Sequence, residues 1–279
     1  MPAPLAINTN MGSIVAQNNL GTSSGHLQTA IERLSSGLRL NSSADDAAGM
    51  AVSTGLRAQL GGYQQASRNA HDAIAIMNTT EGGLSSLSDT LIRMRELAVQ
   101  SASDGLTDTE RGYIETEFDD LQLEIDRISK TTEYNGIKLL DGTAGTAGAV
   151  VFQVGTRNSA NDQIGVTLKI MDAAALGVAA AVSVSSLAAA QSAITAVDSG
   201  IATLSSHRAT IGSTINTLEG AVSNLGNTIQ NVSHGVSQIR DADLASESAA
   251  FASAMVLQQA GVAMLAQANQ APSLALRLL

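Results

Sequence analysis

Few side chains in this sequence could do chemistry, and none of them stands in a constellation that would. Gly21-Thr22-Ser23-Ser24-Gly25 spells G-x-S-x-G, the string that in hydrolases holds a nucleophilic serine on a sharp turn between a buried strand and a helix. Here the residues before it, Asn8 to Leu20, follow a helical polar–apolar pattern, so the serine lacks the strand the motif needs. His26, His71, His207 and His234 stand alone, without the H-x-x-x-H or H-E-x-x-H spacing that sets two imidazoles on one helix face around zinc. Gly142, Gly145 and Gly148 lie in a stretch with no Lys, and nothing there reads G-x-x-x-x-G-K-[ST], so no phosphate cradle is indicated. With no Cys, thiol nucleophiles, disulfides and cysteine zinc clusters are excluded. No enzyme, no metal site and no cofactor is expected.

Composition narrows the class further. Aromatics make up 2% of the 279 residues and Trp is absent, which argues against both an aromatic-rich compact core and a surface that stacks nucleic-acid bases. The 25 acids outweigh the 15 bases for a net charge of -10, so a phosphate backbone is a poor partner. Proline occurs only at positions 2, 4 and 272, so helices can run uninterrupted from Leu5 to Ala271. The first charged side chain is Glu32, which leaves no basic region of a Sec-type signal peptide. Because no run of about 18 apolar residues is present, no membrane-spanning helix is expected. Charge is absent again from Ser248 to Leu276. Both ends are thus neutral and studded with Leu, Ile, Met and Val; they either pair with each other inside one monomer or bury against neighbouring copies.

The elements follow from periodicity. Ile194, Val197, Ile201, Leu204, Arg208, Ile211, Ile215, Leu218, Val222, Leu225, Ile229, Val232, Val236 and Ile239 alternate at spacings of three and four, an a/d heptad seam that Arg208 alone interrupts. A snorkelling side chain or a register-fixing one would both fit that interruption. A partner stripe runs through Leu56, Leu60, Tyr63, Ala70, Ile74, Met77, Leu84, Leu87, Leu91, Met94 and Ala98, broken by Gly61-Gly62 and Gly82-Gly83, where close helix approach or a bend is expected. Thr107-Asp108-Thr109-Glu110 predicts a capping box opening a shorter helix to about residue 129, whose acidic face (Glu115, Glu117, Asp119, Asp120, Glu124, Asp126) reads as solvated. From about Tyr134 to Met171 the period changes to two: Val150 to Val154 pairs with the alternation Ile164, Val166, Leu168, Ile170, after an Asn135-Gly136 turn. The expected fold is mainly α, a long antiparallel helical bundle or coiled-coil rod with a small β-hairpin unit and both termini paired at one end.

Several segments resemble bacterial flagellins: AIERLSSGLRLNSSADDAAGMAVS (30 to 53), SRNAHDAIAIMNTTEGGL (67 to 84), IRMRELAVQSAS (92 to 103), EIDRISKTTEYNGIKLLDG (124 to 142), NTIQNVSHGVSQIRDADLASE (227 to 247) and VLQQAGVAMLAQANQAPSLALRLL (256 to 279). The resemblance implies an inner filament-core domain from residues 1–44 and 235–279, a helical rod domain over 45–234 with its hairpin unit at about 134–171, and no large outer domain. It implies a structural subunit exported unfolded by the flagellar type III system, secreted, and polymerised into the extracellular filament that drives swimming. A hook-filament junction protein of the same superfamily is the alternative. Implied partners are other copies of the chain, junction and cap proteins, an export chaperone and host innate immune receptors. Self-assembly is expected through Ile7, Met11, Ile14, Leu20, Leu27, Ile31, Leu34, Leu38, Phe251, Met255, Val262 and Leu265 of the terminal helices. Arg93, Glu96, Leu97 and Glu117 match a receptor-read surface of related flagellins, with Ile92 where Gln is common, and Leu274, Leu276, Leu278 and Leu279 resemble a chaperone- and sensor-bound C-terminus.

Overall fold

The computed structural model describes residues 9–146 and 148–276, and side chains as far as Gln270. Five α-helices account for most of it: α1 (Met11–Ser36), α2 (Ala47–Ser101), α3 (Asp108–Thr131), α4 (Leu187–Arg240) and α5 (Leu244–Leu276). Between α3 and α4 lie two small antiparallel hairpins, β1 (Glu133–Tyr134) with β2 (Ile137–Lys138), and β3 (Ala149–Gln153) with β4 (Gln163–Thr167). The chain divides into two compact units, one from the residues up to Ala58 together with those from Asn231 on, the other Gln59–Gln230.

The Gln59–Gln230 unit is built on three helices. Arg95 reaches Asp198 and Glu81 reaches Arg208, so α2 and α4 run antiparallel; Arg93 meets Glu117 and Gly83 lies against Thr132, so α3 runs antiparallel to α2 as well. The apolar stripe of α2 turns inward at Met77, Leu84, Leu87, Leu91 and Met94, all without exposed surface, and meets Phe118 and Ile125 of α3 and Val197, Leu204, Ile211 and Leu218 of α4. Thr107 opens α3 with the full reciprocal cap: its hydroxyl accepts from the Glu110 amide, and Glu110 accepts from the Thr107 amide at 2.8 Å. Arg111, on the first turns of α3, is buried and donates to the carbonyls of Ser101 and Ser103, placing a cation on the free carbonyls at the end of α2.

Asn135 (φ 49°) and Gly136 (φ 77°) form the two-residue turn joining β1 to β2, where both positions need the left-handed region that Asn and Gly tolerate. In the second hairpin Val150 faces Val166 and Phe152 faces Ile164. The expected alternation stops early: Leu168 is buried but Ile170 is half exposed, because the Met171 amide leaves the ladder to donate to the Leu140 carbonyl and turns Met171 inward instead.

Two further expectations are corrected by what packs alongside. The stripe of α4 that is buried runs Ala190, Ala193, Val197, Gly200, Leu204, His207, Ile211, while Ile194, Ile201 and Ile215 are only half-buried. It is rotated because α4 has neighbours on two sides, α2 and the segment before it, whose Leu176 carbonyl lies 2.9 Å from where a Cβ on Gly200 would stand. Arg208 therefore sits at the edge of the seam, with Nε and Nη2 donating to one Glu81 oxygen at 2.8 and 2.5 Å, and His207 occupies the centre. The acidic face of α3 is likewise not wholly solvated. Asp126 accepts from the Ala173 amide, Glu115 accepts from the Val184 amide, and between them Gln122 donates to the Val182 carbonyl at 2.9 Å, so this face fastens residues 172–184. The crowding of these carboxylates, burial first and then Glu115 and Asp120, pushes the Asp119 carboxyl above its ordinary range.

Over Leu244–Gln270 α5 is long and apolar enough, by length and composition alone, to cross a membrane, since Ala, Val, Leu and Met accumulate there without forming an unbroken run.

Gly83 is the residue of its pair that permits close approach: a Cβ would lie 2.8–2.9 Å from Thr132 and Leu140, whereas at Gly82 it would meet nothing. Gly83→Val should destabilise the subunit by about 1–3 kcal/mol and Gly82→Ala should not, read by urea unfolding followed by circular dichroism. Gln122→Ala, which leaves the Val182 carbonyl without this donor, should cost about 1–3 kcal/mol in the same measurement.

Candidate functional site

The terminal helices carry no charge over most of their length, and their packing follows from that. Asn10 Nδ2 donates to the Ala268 carbonyl at 2.8 Å, Ser13 Oγ to Asn269 Oδ1 at 2.9 Å, Ser23 Oγ to the Ala254 carbonyl at 3.4 Å, and Arg33 Nη1 meets Glu247 Oε1 at 2.9 Å. As the first number rises the second falls, so α1 and α5 lie antiparallel, side by side. Asn10 also caps α1, its side chain accepting from the Ser13 amide, and Gly37 in the left-handed region closes it. Beyond Gly37 the chain pairs with the break between α4 and α5: Leu38 bridges Asp241, the Arg39 amide donates to the Arg240 carbonyl at 2.7 Å and the Ala242 amide to the Gly37 carbonyl at 3.0 Å.

What this pair buries is small. Ser13, Ala30 and Ala254 are the enclosed residues of the two helices, and a Cβ on Gly261 would come within 3.1 Å of Leu20 Cδ1. The apolar residues expected to carry assembly fall into two groups. Leu20, Leu27 and Leu34, seven residues apart, are half-buried along α1, as are Phe251 and Leu265 on α5 and Leu38 just past α1. Met11, Ile14, Ile31, Met255 and Val262 are exposed, between 44% and 62% of their surface, and Val15, Val256, Leu257 and Met264 join them. Ile7 lies outside the described residues. Of the alternatives left open by the sequence, pairing within one monomer holds in part: one stripe of each helix pairs, and another stays uncovered. A groove of about 770 Å³ runs between them, lined by Val15, Ala16, Leu20, Leu257, Ala260 and Met264 among others.

A second predicted group is split by its helix. Arg93 donates to Glu117 from Nε at 2.9 Å and Nη2 at 2.6 Å, and to Glu96 from Nη1 at 3.1 Å, forming an exposed cluster across α2 and α3. Hydrogen bonding to Glu117, then to Glu96, raises the guanidinium pKa beyond its already high value. Leu97 is turned the other way, 1% exposed in the core, and shares no surface with them. Leu274 and Leu276 fall within the span of α5, but their side chains, and Leu278 and Leu279 altogether, lie outside what is described.

The small and polar residues that make the α1–α5 contact belong to no apolar stripe in the sequence. Their signal in sequence is Ala254 and Gly261 seven residues apart, the spacing of a close helix seam. The G-x-S-x-G string lies within α1, where Ser23 donates across to α5, so no nucleophile elbow exists. Among the described residues no group of three or more His, Asp or Glu side chains is placed to hold a metal ion.

Comparison with known proteins completes the picture. Residues 7–145 match the bacterial flagellin N-terminal helical region and residues 194–279 the bacterial flagellin C-terminal helical region. A flagellin of Halalkalibacterium halodurans is 42% identical over 99% of this chain and all of its own length, and one of Bacillus subtilis is 39% identical over the same shares. Among solved structures, a putative flagellar hook-associated protein from Vibrio parahaemolyticus, 17% identical, superposes on 71% of this chain and all of its own with a TM-score of 0.59, which shows a shared fold. With both terminal regions matched and a relative similar from end to end, the chain belongs to the bacterial flagellin family.

Proposed function

We propose that this chain is exported to the cell exterior and polymerises through α1 and α5 into the filament of a bacterial flagellum, as a structural subunit rather than a catalyst. The observation that carries this is the uncovered stripe of Met11, Ile14, Val15, Met255, Val262 and Met264 on two helices whose charges are confined to Glu32, Arg33 and Glu247 at one end of the pair. Burying a Met, Val or Leu contributes about 1.5–3 kcal/mol per side chain, and contact with a second copy supplies a surface of the same kind. Head-to-tail contacts through such a stripe would extend into a filament when the rotation does not close. Residues 1–44 and 235–279 would form the filament core and 45–234 the part beyond it. Export through the flagellar type III channel with a chaperone at Leu274, Leu276, Leu278 and Leu279, and contact with junction and cap proteins, complete the reading. Nothing favours the junction protein over the filament subunit.

Deleting residues 1–30 or 250–279 should abolish polymerisation while leaving Gln59–Gln230 helical. Val262→Asp should do the same without loss of monomer helix, because Val262 is already exposed in the subunit and the new charge is desolvated only on assembly. Electron microscopy and circular dichroism read both, and filaments from either variant would overturn the reading.

We further propose that Arg93, Glu96 and Glu117 form a surface read by a host innate receptor. Arg93→Ala should lower the response of receptor-reporter cells to monomeric protein at least several-fold, and a wild-type protein inert at high dose would dismiss it.

A further inference from the structure

The mechanism of assembly makes no use of His207, and its setting is unusual. It lies near the middle of α4, 2% exposed, inside the Gln59–Gln230 bundle, and neither Nδ1 nor Nε2 has a hydrogen-bond partner. A buried imidazole ordinarily donates from one nitrogen and accepts at the other. The charged groups around it come from three directions. Glu81, on α2, already gives one carboxylate oxygen to both Nε and Nη2 of Arg208, the next residue on α4; its other oxygen is buried and unpartnered. Lys169, in the segment after β4, acts on the ring as a like charge would on its protonated form.

We infer that His207 is an acid-sensitive lock in this unit: the neutral ring packs between α2 and α4, and the protonated ring cannot stay there. A proton on the ring would create a cation in the core, opposed by the Lys169 ammonium and offset only in part by Glu81, which gives one oxygen to the Arg208 guanidinium and makes no hydrogen bond to the ring with the other. The water shell that stabilises imidazolium outside the fold has no counterpart at this site. Loosening at this point separates the two helices where the Glu81–Arg208 pair bridges them.

The electrostatics agree with the geometry. Burial first, then Lys169, pushes the His207 pKa below its ordinary 6.5, with Glu81 opposing. A histidine depressed in the folded state binds its proton more readily when unfolded. Its contribution to stability is therefore complete above about pH 6.5 and is lost as pH falls from there towards the folded-state pKa.

The test uses the full-length monomeric subunit in urea, followed by circular dichroism from pH 8 to 5.5, beside His207→Gln and His207→Leu. The unfolding equilibrium constant of the wild type should rise relative to either variant by up to about tenfold per pH unit below 6.5, corresponding to one proton. Groups that do not interact with residue 207 contribute equally in all three proteins and cancel in the difference. A difference that does not change with pH, or that moves the other way, would overturn the inference. Should both variants fail to fold, titration of the His207 ring in the wild type by NMR decides instead: a midpoint below 6.5 upholds the lock and one at or above 6.5 removes it.

Discussion

The constraint on which the rest depends is that two helices almost without charge meet through side chains too small to use up their apolar surface. Between α1 and α5 the enclosed residues are Ser13, Ala30 and Ala254, and the close approach at Gly261 leaves Leu20 little to bury against. Large apolar groups on the same helices, Met11, Val15, Leu257 and Met264 among them, remain in water. A contact so thin gains little from the hydrophobic effect, which scales with area. Its direction and register come from polar stitches, Asn10 to Ala268 and Ser13 to Asn269 near one end and Arg33 to Glu247 towards the other. Such a pair is ordered enough to present its outer stripes and apolar enough to need them covered.

The Gln59–Gln230 unit solves the opposite problem. Its interior is filled by Phe118, Met77, Leu84, Leu87, Leu91, Met94 and Ile125, all without exposed surface, so one chain closes this core, while Ile92, Val99, Tyr113 and Leu123 stay exposed on its outside. The polar groups that enter it serve the backbone: Arg111 takes the carbonyls at the end of α2, and Glu115, Gln122 and Asp126 take the amides and carbonyls of a segment with no ladder of its own. His207 departs from this, buried with neither nitrogen served. The two proposals thus rest on different residues, assembly on surface left uncovered and acid response on a polar group enclosed.

Much of the helical architecture is legible in the residues. Near absence of Pro, the three-four spacing from Ile194 to Ile239, the Thr107–Glu110 box and the Asn135-Gly136 turn each act within a few positions of the chain, and local rules read them correctly. The sparse charge and apolar character of the ends are legible too, since both are properties of composition. Site residues are less so. Arg93 and Leu97 lie four positions apart, yet one forms an exposed ion-pair cluster and the other fills the core, because α3 and the interior flank α2 at an angle that spacing does not record.

By itself, then, the sequence determined which stretches are helical, where the shorter helix α3 begins and ends, and that the two ends are apolar and nearly without charge; all of these depend on interactions spanning four residues or fewer, or on composition. Only the tertiary structure decided that α4 turns His207 rather than Arg208 to its centre, that the acids of α3 hold residues 172–184, and that α1 and α5 meet through Ala254 and Gly261 while Met255 and Val262 stay outside. Those choices depend on what lies across the gap between helices, and a helix of a given period can turn its face by one position without any change in its own sequence.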